Sequence, residues 1–272
     1  MQTILVTGAT DGIGRETARQ LGERGARVLV HGRSRDKAER AAKALRDESG
    51  RDAFEPVAGD FARLDEVRAL AAEIAARHPR LDALVNNAGI YTREGGRSAD
   101  GFDLTLAVNH LAPFALTHLL IDALPRGARV VFVSSNVHRS ADGAGLIERL
   151  TGAATGEHDG YAAYADSKLA NVLTAYELAR RLEPRGIAVN AMHPGVIGTK
   201  LLRQGFGGLG GADVARGAAG EVKLAIDPSL DGVSGRYFDQ TQESRAAAAA
   251  SDTALQARVY ELSRERTGVP PL

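Results

Sequence analysis

Near the amino terminus a short apolar run, Thr3-Ile-Leu-Val6, passes directly into Thr7-Gly-Ala-Thr-Asp-Gly-Ile-Gly14 and then into a helical stretch over residues 15–24. Strand, glycine-rich turn and helix in immediate succession constrain a chain strongly. The turn must be tight, and the helix start behind it collects backbone N–H groups suited to a phosphate. Gly8 permits the tight turn, Gly12 lets the backbone approach a pyrophosphate, and Gly14 lets helix and strand pack closely. The glycine spacing differs from the usual dinucleotide fingerprint, and a tight turn without ligand is the alternative.

The same alternation continues. Strands are predicted at 26–31, 54–58, 82–85, 128–133, 186–192 and 235–238, and helices at 36–48, 64–77, 101–124, 162–182 and 252–266. Pro113 should bend the helix that carries Asn109. Strands alternating with helices call for a parallel sheet covered on both faces. Ligands of such sheets bind beyond the carboxyl ends of the strands. The unusual clusters of this chain all fall at those ends: the glycine turn, Arg33, Asp60, the Asn86-Asn-Ala-Gly89 run, Ser135 and Pro194-Gly195. The pattern points to a nucleotide site with chemistry beside it.

The chemistry is carried by Tyr161-Ala-Ala-Tyr164-Ala-Asp-Ser-Lys168. Tyr164 and Lys168 are four apart, so on a helix they share a face. A free phenol titrates near ~10, and a nearby positive charge favours the phenolate. Spacing alone is weak, because such pairs occur on many helix surfaces. Tyr161 competes with Tyr164 but has Ala165 four residues on, where the lysine would be needed.

Composition removes other classes. The 34 basic and 34 acidic side chains cancel, which argues against nucleic acid or a membrane surface as partner. Without cysteine there is no disulfide framework and no thiolate site, as suits a cytoplasmic protein. No stretch approaches the ~20 apolar residues of a membrane span, and no signal peptide is expected. The seven histidines lack metal-site spacing, so no metal is expected.

Taken together, the motifs resemble the short-chain dehydrogenase/reductase family over nearly the whole chain. They are Thr7-Gly8, Gly12-Ile-Gly14, Asn86-Asn-Ala-Gly89, Asn109, Ser135, Tyr164 with Lys168, and Pro194-Gly195 with Thr199. Val133-Ser-Ser and Ser167-Lys-Leu-Ala-Asn171 are similar to the retinol-dehydrogenase-like reductases. The resemblance implies an α/β fold, a single Rossmann-like, doubly wound parallel sheet of about seven strands over residues 1–272. It implies an oxidoreductase that transfers a hydride between a nicotinamide cofactor and a small-molecule carbonyl or alcohol. The alternative is a dinucleotide-binding sensor of the same fold without turnover.

The resemblance also implies roles. Tyr164 would give the proton and Lys168 would lower its pKa and hold the nicotinamide ribose. Ser135 would hydrogen-bond the carbonyl oxygen, and Asn109 would hold a water that relays protons to Lys168. Gly8, Thr10, Asp11, Gly12, Ile13 and Gly14 would form the pyrophosphate turn. Asp60 and Phe61 would lie at the adenine, although Asp60 can equally cap the next helix. Asn87, Ala88 and Gly89 would line the adenosine ribose. Pro194, Gly195, Ile197 and Thr199 would flank the nicotinamide.

NADP(H) is expected rather than NAD(H). Gly32 stands where an NAD enzyme usually carries an acid, leaving room for a 2′-phosphate, and Arg33 beside it offers a planar grip. Ser34 and Arg35 could add donors. Asp11 would oppose a phosphate if it pointed inward, but helix capping is its other use. An insertion over about 138–160 and a lid over about 199–213 are expected. Leu201, Leu202, Phe206 and Leu209 on the lid suggest a hydrophobic substrate. Val172, Leu173, Tyr176 and Leu182 are more apolar surface than one sheet face needs, and the family resemblance implies that such helices pair between subunits in a homodimer or homotetramer.

Overall fold

The computed structural model describes residues 1–154, 158–205 and 210–272. The apolar runs form strands, of which the inner ones are buried on both faces as a parallel sheet requires and the edge strand Phe54–Ala58 is half-buried. They are β1 (Thr3–Val6), β2 (Arg27–Gly32), β3 (Phe54–Ala58), β4 (Ala83–Asn86), β5 (Arg129–Val133), β6 (Ala188–His193) and β7 (Tyr237–Asp239). All pair in parallel, in the order β3-β2-β1-β4-β5-β6-β7. An eighth strand, β8 (Gln242–Ser244), returns antiparallel to β7 at the edge. It is short and exposed, so no hydrophobic pattern announces it. The strand order reverses between β1 and β4, which opens a crevice at the carboxyl ends.

The α-helices are α1 (Gly12–Glu23), α2 (Arg35–Ser49), α3 (Leu64–Arg77), α4 (Leu104–Leu106), α5 (Ala112–Leu119), α6 (Ala144–Thr151), α7 (Gly160–Leu182), α8 (Lys200–Gly205), α9 (Val214–Ile226) and α10 (Thr253–Thr267). Alternate residues of each strand feed opposite layers. Ile4, Val6, Val28, Val30, Val85 and Val131 pack with residues of α1, α2 and α9. Leu5, Leu29, Leu84, Val130 and Phe132 pack with α3, α5 and α7. No helix of the described residues is long and apolar enough to cross a membrane.

Three expectations change. The bent helix predicted over 101–124 is broken into α4, a π-turn at Ala107–Leu111, α5 and a 3₁₀ turn at Ile121–Ala123. Pro113 has no N–H to give to Asn109 O, and the wide turn ahead of it absorbs the missing bond. Second, α9 was not foreseen, because Gly217 and Gly220 depress its helix propensity. Packing decides it instead: a Cβ on Gly220 would come within 2.5 Å of Gln240 O. Third, Val172, Leu173 and Leu182 are already fully buried within the chain, and Tyr176 is half-buried. α10 lies along α7, with the Arg181 guanidinium 3.8 Å above the Tyr260 ring. The apolar surface expected to pair subunits is therefore largely spent inside the protomer.

The insertion after β5 is a packed element. A 3₁₀ turn, Asn136–Ser140, leads to α6, whose Leu146 and Leu150 are buried. Residues 155–157 lie outside the described residues. Arg149 Nε holds Asp166 Oδ2 at 2.9 Å, joining α6 to α7. Burial pushes the Asp166 carboxyl up and Arg149 opposes it. Arg149→Leu leaves that buried carboxyl unpaired, and a loss of about 3 kcal/mol is expected. Urea unfolding at neutral pH measures it; an unchanged midpoint contradicts the anchoring role.

Candidate active site

Asp159 begins α7 by accepting the N–H groups of Tyr161 and Ala162, and an alanine-rich sequence carries the helix onward. Tyr164 and Lys168 then lie one turn apart with Lys168 Nζ 5.5 Å from the Tyr164 ring centre. Both are buried. Ser135, immediately beyond β5, hydrogen-bonds the Tyr164 hydroxyl. Tyr161 is 45 % exposed and receives a hydrogen bond from Ser140 Oγ at 3.4 Å, so the competing tyrosine is at the surface.

The electrostatics differ from the expectation that Lys168 lowers the Tyr164 pKa. Burial pushes the Tyr164 phenol up to about 12, and only the Ser135 hydrogen bond opposes this. Burial also brings the Lys168 ammonium down to about 8 against the pull of Glu221. The reason is geometric. Lys168 Nζ donates to Val133 O at 3.0 Å and lies 5.5 Å from the centre of the Tyr164 ring.

Asn109 is tied into the site by its whole side-chain amide. Its Oδ1 accepts from Ile90 N at 2.7 Å, and its Nδ2 donates to Ile90 O at 2.9 Å and to Ser167 Oγ at 3.1 Å. The side chain clamps the loop after β4.

The glycine turn is built from below. Asn87 Nδ2 donates to Thr7 O at 2.7 Å, and Ala88 N–H donates to Thr7 Oγ1 at 3.0 Å. These residues thus support the turn, whatever they also line. A Cβ on Gly14 would run into Asn87 Nδ2 and, at 2.6 Å, Gly8 O, so only glycine fits. Asp11 caps α1 through Gly12 N–H at 2.8 Å and pairs with Lys200 at 2.6 Å. The helix accordingly starts at Gly12, ahead of the predicted residue 15, and the Asp11 charge is tied to α8. The missing Cβ of Gly12 would lie 3.4 Å from Thr199 Cγ2, which places Thr199 over the turn. Ile13 and Ile197 meet against Gly217 of α9. Pro194 is buried, and Gly195 turns the chain at φ 96°.

The β2 end needs corrections. A Cβ on Gly32 would lie 2.6 Å from Thr10 Cγ2, so the space expected for a phosphate is filled by the Thr10 methyl. Arg35 is committed to Glu73 at 2.9 Å and to Pro56 O at 3.0 Å. Arg33 is exposed and makes no hydrogen bond or ion pair with any described residue. Asp60 Oδ1 accepts from Ala62 N–H at 2.9 Å, shaping the turn before α3. Phe61 is buried and stacks on His31 at 4.5 Å, so it faces the core. On the lid, Leu201 and Leu202 of α8 are half-buried, and Phe206 and Leu209 lie outside the described residues.

The family model for short chain dehydrogenases matches residues 2–206. The chain belongs to that family. It is 41 % identical over 285 residues to "Dehydrogenase/reductase SDR family member 13" of Bos taurus, covering 99 % of this chain and 74 % of that one. It is 36 % identical to "Retinol dehydrogenase 14" of Mus musculus, covering 98 % of this chain and 86 % of the relative. Among solved structures, a short chain dehydrogenase from Escherichia coli CFT073 complexed with NADPH superposes with a TM-score of 0.73 at 28 % identity, over 89 % of this chain and 97 % of that one. This short-chain dehydrogenase is thus an oxidoreductase acting on CH–OH and C=O groups, with a nicotinamide dinucleotide as cofactor.

The residues present fit such a cofactor. The first-turn amides of α1 are left without helical partners and face the anion-favouring end of the helix dipole. A Cβ on Gly89 would lie 3.4 Å from both Asn109 Oδ1 and Lys168 Nζ, so glycine keeps that cradle open.

Two residues of this short-chain dehydrogenase, His31 and Glu221, escaped the sequence reading. His31 Nδ1 accepts from Gly8 N–H at 3.1 Å while Nε2–H donates to Gly59 O at 3.0 Å, locking the glycine turn to the β3 end. A lone polar residue closing an apolar strand was its signal. Glu221 of α9 is fully buried, bonded by Thr17 Oγ1 at 2.8 Å, and pushed up to about 8 by burial. His193, at the β6 end, is buried with Nδ1 unpartnered among the described residues. Cavities of about 360 and 530 Å³ near Arg129 and Gly186 open at the opposite, amino ends of the strands.

Proposed function

We propose that this chain is an NADP(H)-dependent reductase and dehydrogenase for an apolar carbonyl or alcohol. The observation that carries the reading is the group of half-buried Ser135 with buried Tyr164 and Lys168 beside the glycine turn at the carboxyl ends of the sheet. A bound nicotinamide supplies the hydride in reduction and takes it in oxidation. Tyr164 O–H gives the proton to the carbonyl oxygen. Ser135 Oγ–H supports the same oxygen as charge develops. Lys168 places a positive charge under the phenol and lies within reach of the nicotinamide ribose cradle at Gly89. Asn109 positions the Ile90 backbone in the wall of that cradle.

A pH dependence follows. Tyr164 stays protonated up to about 12, so it remains a donor through the neutral range. Lys168, at about 8, is charged below that pH and neutral above it. Carbonyl reduction should hold to about pH 8 and decline above it. A rate that is flat to about pH 10, where an ordinary lysine is still charged, contradicts the assignment.

Cofactor choice rests on Arg33. With the Gly32 space filled, a 2′-phosphate would be met outside it, by the Arg33 guanidinium and the Ser34 hydroxyl, which makes no cap bond. The NADPH-bound neighbour supports the same choice. A charge-assisted contact contributes about 1.5–3 kcal/mol, so Arg33→Ala should raise the NADPH KM roughly 10–100-fold and leave that of NADH nearly unchanged. Equal effects on both cofactors reject the phosphate contact.

The apolar substrate is supported by the Tyr91 ring, edge-on to Tyr164 at 5.7 Å, by half-buried Leu201 and Leu202, and by relatives named for retinol. Assembly as a homodimer or homotetramer rests on the family resemblance alone, since α10 occupies α7. Light scattering at micromolar concentration checks it, and a monomeric mass rejects it.

A further inference from the structure

Asn171 follows Lys168 by three residues on α7 and is 1 % exposed. Its Nδ2 donates to two backbone carbonyls, Asn109 O at 3.0 Å and Val133 O at 3.3 Å. Both carbonyls are special. Asn109 O is the acceptor that Pro113, lacking an N–H, leaves without a helical donor. Val133 O is the group that holds Lys168 Nζ at 3.0 Å. One amide therefore reaches both the carbonyl under the lysine and the residue that clamps Ile90.

The orientation of that amide is fixed from behind. With Nδ2 on the carbonyls, Oδ1 faces His110 Nδ1 at 3.3 Å, and that nitrogen must carry the proton. His110 is fully buried, and burial brings it down to about 4, so the ring is neutral. Its Nε2 then lies 2.7 Å from Ser263 Oγ of α10. The Asn171 amide cannot turn over without breaking all of these contacts.

We propose that Asn171, oriented by His110, is a positioning residue of the reaction: it steers the Val133 carbonyl and so places the Lys168 ammonium beside Tyr164. The inference rests on the role given to Lys168 above. The other titratable groups around Lys168 are Tyr164 on the same helix, Glu221 from α9 and His193 from the β6 end.

The test uses the full-length chain with NADPH and a reactive carbonyl. Wild type, Asn171→Ala, Asn171→Asp, His110→Asn, His110→Leu and Lys168→Met are compared by kcat and KM across pH, and by thermal midpoint. Aspartate keeps the shape and the acceptor for His110 but has no donor for the two carbonyls. Both Asn171 variants should lose about 10–100-fold in kcat with a smaller change in carbonyl KM, as misplacement of a reacting group does. The added carboxylate of Asn171→Asp should also move the basic limb of the profile upward, because a nearby negative charge favours the ammonium. His110→Asn keeps a donor towards Asn171 and should retain most of the rate, whereas His110→Leu should match Asn171→Ala. Lower thermal midpoints with wild-type kcat and pH limb make Asn171 purely structural and overturn the proposal. If the Asn171 variants do not fold, identical kcat profiles for His110→Asn and His110→Leu overturn it. Full activity in Lys168→Met removes the underlying role of Lys168 itself. An inactive Lys168→Met beside unaffected Asn171 variants rejects only the positioning role.

Discussion

Tyr164→Phe is expected to lower kcat for carbonyl reduction by about 10²–10⁴-fold, the usual span for loss of a positioned general acid. Only a hydroxyl is removed. The ring is held by burial and by the Tyr91 edge contact, so fold and cofactor binding should persist. Ser135 is left without the hydroxyl it bonds, but it is itself only half-buried and can turn to water. Tyr161→Phe is the control. That tyrosine is surface-exposed and contacts Ser140, so most of the rate should remain. Steady-state kinetics on both variants, with NADPH binding measured by nicotinamide fluorescence, decides the assignment. Wild-type turnover in Tyr164→Phe would remove Tyr164 as the proton donor.

The second large effect is on stability in acid. His31, His110, His118 and His193 are all buried, and burial brings each down from 6.5 to about 4. His31, His110 and His118 make their bonds as neutral rings; His118, for example, lies 2.9 Å from Phe114 O and 3.1 Å from Tyr260 Oη. A depressed folded pKa means that the unfolded chain takes up protons first as pH falls. The stabilisation is therefore full above 6.5 and is lost on the way down to 4. Each ring contributes at most about 3 kcal/mol over that interval. Glu221 acts oppositely. Its folded pKa is raised to about 8, so its contribution is complete below the ordinary value of 4.5 and fades as pH rises towards 8. Four histidines outweigh one carboxyl, so stability should peak near pH 6.5 and fall by several kcal/mol by pH 4. Urea midpoints at pH 8, 6.5, 5 and 4 measure the curve. A profile that is level from 6.5 to 4 contradicts the buried neutral rings.

The sequence showed the parallel sheet because inner strands buried on both faces must be apolar runs, as β1, β2, β4, β5 and β6 largely are. β8 was hidden because an exposed edge strand of three residues needs no such pattern. The helix α9 was hidden because its glycines serve close packing against Gln240 and Ile197, a tertiary reason that overrides propensity. With it went Glu221, whose meaning appears only when α9 is laid over Thr17. Ser135, Tyr164 and Lys168 were legible as a group, and the structure brings them together. Their electrostatics were not, because spacing shows which groups are near one another but not how dry the site is. Gly32 carries the same lesson. An absent side chain reads as free space until the Thr10 methyl is found in it.

The buried Tyr164 site is proposed to reduce carbonyls with a nicotinamide cofactor and to prefer NADPH. The direct measurement is the fall of nicotinamide absorbance when the purified chain meets NADPH, or NADH, with a panel of aliphatic, aromatic and polyene aldehydes and ketones, with the alcohol product quantified. One alcohol formed per NADPH consumed, faster turnover of apolar members of the panel and slower turnover with NADH are expected. NADPH that binds but is not consumed by any carbonyl, together with NADP+ that is not reduced by any alcohol in the reverse direction, would contradict the proposal and identify a dinucleotide-binding protein without turnover.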